Sequence, residues 1–177
     1  KKILKMSILE LANNIKNGKL TCYYTVNVFI ENIKKYNNLL NAVAYDCFKD
    51  AREISLYYDK KYKIYKKKKK IGKLPIYFGV PFIIKESLEL PGKPLTNGYI
   101  SRKDNKGDKV NPLCERLIKK GMIILAAGNL SEGCTWIESR NKVYGVTNNP
   151  YDITRTSGGS SGGTAVLVSI CGSPIGI

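Results

Sequence analysis

The chain has 177 residues, 43% of them hydrophobic, with 30 lysines and arginines against 14 acidic residues and no histidine. This length and composition suit one packed domain or part of a larger one. No run of 18 apolar residues occurs, which excludes a membrane-spanning helix in this stretch, and the missing histidine excludes a Ser-His-Asp triad built from it.

Ile8, Leu9, Leu11, Ala12 and Ile15 recur at helical spacing, with Ser7 as a cap and Gly18 as a stop. Thr21 opens a second helix on the stripe Val26, Phe29, Ile30 and Ile33, which Asn37 and Asn38 are expected to break. Residues 40–45 read as a short strand and 47–60 as a third helix, so the N-terminal helices occupy 1–60. The lysine-rich stretch 61–73 reads as a basic loop or insertion, because like charges in a block repel and stay solvated.

Val80 to Ile84 is expected to be a buried strand, 91–109 a loop, and 112–120 a helix closed by Gly121. Residues 122–126 read as a second buried strand, and Ser131 can cap a short helix from Glu132. Asn148-Asn149-Pro150 marks a turn, 157–163 is a glycine-rich loop, Thr164 to Ile170 is a buried helix, and Pro174 to Ile177 is an incoming strand. Helices alternate with buried strands, so the expected class is α/β. The chain starts without Met and stops inside an apolar run, so it is expected to be a piece of a longer protein.

The formal charge of +16 points toward a polyanion or an anionic membrane surface, but charge alone speaks to solubility more than to a site. Nucleic acid is therefore not the expected partner. The five cysteines, Cys22, Cys47, Cys114, Cys134 and Cys171, are odd in number and lack CxxC spacing, so free thiols in a reducing, intracellular setting are expected, with no metal and no cofactor. The polar, basic N-terminus does not read as a secretory signal.

Two places can carry chemistry. Lys85 closes the apolar run from Val80 and precedes Glu86. Burial disfavours a charged amine, and a neutral amine is a competent base; the competing reading is a strand-end lysine that snorkels to solvent or pairs with Glu86. Residues 157–163 place four glycines and three serines before an apolar helix, which frees the hydroxyls of Ser160 and Ser161 and clusters backbone N–H groups. A nucleotide-binding P-loop would need a Lys after the glycines, and Thr164 stands there instead. A flexible Gly/Ser linker would not lie between a turn and a buried helix. A serine hydroxyl activated by a lysine is self-consistent without histidine.

Four segments, residues 79–86 (GVPFIIKE), 128–132 (GNLSE), 144–152 (YGVTNNPYD) and 158–163 (GGSSGG), in this order and spacing, resemble the amidase signature family. Residues 136–145 (WIESRNKVYG) look most like its fatty-acid amide hydrolase branch, especially the second vertebrate type. The resemblance implies the N-terminal part of an α/β/α sandwich with a mixed central sheet, truncated at the C-terminus, with the signature core at 79–177. It implies a Ser-Ser-Lys triad in which Lys85 is the base and Ser160, after a cis peptide bond, relays the proton. Ser161 is left without a catalytic role. The nucleophilic serine and the oxyanion-hole N–H groups belong to a GTDxGGS-like segment about two dozen residues beyond the relay serine, hence past Ile177, so the chain by itself is expected to be inactive. Cys134 matches a position lining the acyl or oxyanion side of the site, although a buried small apolar residue explains it as well. The implied substrate is a small-molecule carboxylic amide. A homodimer and association with a membrane surface are compatible with the resemblance. The amidotransferase A subunit of glutaminyl-tRNA synthesis is the alternative within the family, and a basic polyanion-binding module is the alternative outside it.

Overall fold

The computed structural model describes residues 2–177. Helix α1 (Ile8–Lys16) begins with a capping box in which Ser7 and Glu10 exchange side-chain-to-backbone hydrogen bonds, and α2 (Cys22–Leu40) is capped by Thr21, as their sequences predict. Helix α2 does not break at Asn37 and Asn38. Asn37 stays helical, and its side-chain oxygen accepts from the N–H groups of Ala42 and Val43, so it shapes the exit turn instead. Asn41 takes the left-handed conformation that ends the helix, and strand β1 begins at Val43 (Val43–Asp46) rather than at Leu40.

Helix α3 (Phe48–Lys67) runs well past residue 60. Half of the basic stretch 61–73 is thus regular helix, followed by a turn and a 3-10 segment at Ile71–Lys73, in place of the expected loop. Lysine is a good helix former, and like-charge repulsion on an exposed face costs only a few tenths of a kcal/mol per pair. The inner face supplies the compensation. Tyr58 stacks on Phe78 at 4.6 Å between ring centroids, and Tyr62 and Tyr65 pack around Ile15, Cys22 and Leu74. Asp59 on this helix accepts from the N–H groups of Cys22 and Tyr23, capping the start of α2 from a neighbouring element.

The central sheet has the order β1-β3-β2, with β2 (Pro81–Lys85) parallel to β3 (Ile123–Gly128) and β1 antiparallel to β3. Helix α4 (Pro112–Lys119) lies in the β2–β3 crossover, as a parallel pair requires. The pairing slips by one residue between Phe82 and Ile83, because Leu125 is an extra residue in β3; its carbonyl accepts from Cys47 N–H at the start of α3. On the free edge of β2, the C-terminal run adds a parallel bridge between Ile83 and Gly176. The sheet is therefore mixed. Val80, Phe82, Ile83 and Ile84 are fully buried, as expected for a strand covered on both faces. Helices α2, α3 and α5 (Gly162–Ser169) pack against the sheet, and a small hairpin, β4 (Arg140–Asn141) with β5 (Gly145–Val146), stands beside it.

Candidate active site

Lys85 ends β2 and Ser160 lies in the glycine-rich loop before α5. Lys85 Nζ donates to Ser160 Oγ at 2.8 Å, and the Gly159–Ser160 peptide bond is cis. Both sequence-predicted residues therefore meet across 75 positions of chain. Lys85 does not pair with Glu86. Successive strand residues face opposite sides of a sheet, and Glu86 is fully buried among other donors: the N–H groups of Thr96 (2.6 Å) and Asn97 (3.0 Å) and the hydroxyl of Tyr144 (2.9 Å). Burial pushes the Tyr144 phenol well above its ordinary value, which leaves it a neutral donor to the carboxylate.

The loop carrying Ser160 is held from several sides. Ser160 O accepts from Ser131 N–H at 3.2 Å, Gly158 O accepts from Ser139 N–H, and Gly162 N–H donates to the buried Ser139 hydroxyl at 2.6 Å. A side chain at Gly159 would collide with the backbone of Trp136 to Glu138, and one at Gly163 with the backbone of Asn129 and Ala42. These glycines serve close backbone approach. Ser161 is the residue preceding α5 and faces a groove of about 610 Å³, which Thr164, Ala165, Val168 and residues 174–177 also line. At the end of that groove, Lys85 N–H donates to Ile177 O at 2.7 Å, so the C-terminal run lies directly beside the lysine.

Cys134 sits in the 3-10 turn Glu132–Cys134 and is half-buried. Its N–H donates to the carbonyl of Ser131, the residue whose own N–H bonds Ser160 O, but no side-chain hydrogen bond joins it to Lys85 or Ser160 among the described residues. The structure adds residues that sequence reasoning passed over. Asn129 bonds through its amide to Gly145 O and Thr147 Oγ1 and accepts from Asn141 Nδ2, while Asn141 accepts from the N–H groups of Val143 and Tyr144. Together with Tyr144 and Glu86, they tie three of the four motif segments into one network. The signal was present at Glu86, a carboxylate next to a buried strand, which needs several donors.

A lysine amine bonded to a serine hydroxyl is an arrangement in which the amine, when neutral, can take the hydroxyl proton. The chain belongs to the amidase signature family: the model described as Amidase matches residues 24–177. The chain is 36% identical to fatty-acid amide hydrolase 2-A of Danio rerio, over 99% of this chain and 33% of the relative. It is 33% identical to human fatty-acid amide hydrolase 2, again over 99% of this chain and 33% of the relative. A solved structure of a fatty acid amide hydrolase superposes with a TM-score of 0.91 at 24% identity, over 99% of this chain and 30% of that one, a likeness of fold. The chain thus spans about a third of the length of the relatives it matches.

Proposed function

We propose that the protein is an amide hydrolase that cleaves linear carboxylic amides of the fatty-acid type, with Lys85 as base and Ser160 as proton relay. One observation carries this reading: the 2.8 Å contact between Lys85 Nζ and Ser160 Oγ. The names of the fatty-acid amide hydrolase relatives support the substrate class.

In this mechanism Lys85 is neutral, so the contact reverses and Ser160 donates to Nζ. A second catalytic serine, in a segment following Ile177, is the nucleophile. Its proton passes to Ser160 Oγ as the Ser160 proton passes to Lys85, and its oxygen attacks the amide carbonyl. Collapse of the tetrahedral intermediate breaks the C–N bond, and the proton returns through Ser160 to the leaving nitrogen. Water then releases the acyl group by the same relay.

The test is hydrolysis of oleamide by the intact protein. Lys85→Ala is expected to lower kcat by at least about 100-fold, the lower range for loss of a general base. Near-normal turnover by that variant between acid and alkaline pH would remove Lys85 from the mechanism.

A further inference from the structure

We infer that the C-terminal end of α3 and the turn after it form a docking surface for an anionic phospholipid bilayer. This inference is independent of the reaction proposed above. Nine lysines fall between positions 60 and 73, and no acidic residue occurs between Asp59 and Glu86. Asp59 is engaged by the N–H groups of Cys22 and Tyr23, and none of the ion pairs among the described residues involves these lysines. The charge is therefore concentrated on one surface and uncompensated there.

Charge alone would suit any polyanion. The helical conformation adds a second property, which a loop would not have. The inner face of α3 is occupied by the tyrosines packed on Phe78 and Leu74. The outer face sets apolar residues among the lysines: Leu56 is 47% exposed, Tyr57 61% and Ile64 53%. Positions 56, 57, 60, 63, 64 and 67 follow helical spacing, so they share that face. Ile64 and Tyr65 with Lys68, Lys70 and Lys73 also surround a basin of about 240 Å³. Three lysines around a basin that Ile64 and Tyr65 also line suit a phosphate-bearing headgroup, with Ile64 and Tyr57 entering the acyl boundary and the lysine stems lying along the interface. Soluble nucleic acid would use the amines and leave the exposed isoleucine and leucine without a role.

Flotation of the intact protein with phosphatidylcholine vesicles, with and without phosphatidylserine, tests this surface. Binding is expected only with phosphatidylserine and is expected to weaken at high salt. K68Q/K70Q/K73Q should lower vesicle affinity on the order of a hundredfold, at about fivefold per lysine. Ile64→Asn, with every charge kept, should lower it several-fold. All four substitutions are at solvent-accessible side chains, and unchanged thermal melts are expected to accompany them. Equal flotation without phosphatidylserine, or wild-type binding by the triple variant or by Ile64→Asn, would overturn the inference. So would tight retention on heparin with no flotation, which would assign the surface to a soluble polyanion.

Discussion

The hydroxyl of Tyr144 donates to Glu86 Oε1 at 2.9 Å, joining a hairpin residue to the residue that follows the candidate base. Glu86 is wholly buried and has three donors. Removing one donor from a buried carboxylate costs more than an average hydrogen bond, because the remaining charge is left short of solvation. Tyr144→Phe is expected to lower stability by about 1–3 kcal/mol in urea unfolding. Glu86→Gln should cost at least as much, since its amide NH2 would face a backbone N–H.

Lys85 and Ser160 act as one unit in the proposed relay, so their losses should not add. In the intact protein, Lys85→Ala, Ser160→Ala and the double variant are expected to have kcat values within about tenfold of one another. A double variant slower by the product of the two single effects would show two independent contributions.

The 177-residue chain by itself is expected to release no measurable product from oleamide, since in the proposed mechanism the attacking hydroxyl is not among its residues. Turnover by the purified chain, absent from its Ser160→Ala variant, would contradict that mechanism.

Thiol reactivity reports the core without reference to catalysis. Burial pushes the Cys47 and Cys114 thiols up to about 11, and that of Cys22 further still, which withholds the reactive thiolate near neutral pH. Cys134 and Cys171 are half-buried. A disulfide reagent at neutral pH is expected to modify Cys134 and Cys171 first, and the other three only on unfolding, as read by peptide mass spectrometry.

Much of this was legible in the sequence because local rules and tertiary structure agree. Ser7 and Thr21 cap helices in both, and the apolar run before Lys85 is a strand buried on both faces. The Lys85–Ser160 pairing was legible only through the order of the motif segments, since no local pattern brings residues 75 positions apart together. Helix α3 beyond residue 60 was not legible. Its lysines read as a solvated block, and the tyrosines that hold its inner face to Phe78 gain their meaning only from a distant segment. The roles of Asn129 and Asn141 were hidden for a related reason: an amide in a loop is an ordinary turn former until its partners are known.

The extra residue in β3 governs what stands next to the amine. With Leu125 bulged, Lys85 pairs with Gly128; were Leu125 paired in a regular ladder instead, Ala127 would take that place. A methyl group at position 128 would run into Thr164 at the start of α5. The helix, and the serine turn fixed to its front, would have to lift away. Accommodating one surplus amino acid in the middle strand thus keeps the residue without a side chain beside the amine, and with it the close approach of the hydroxyl to the nitrogen.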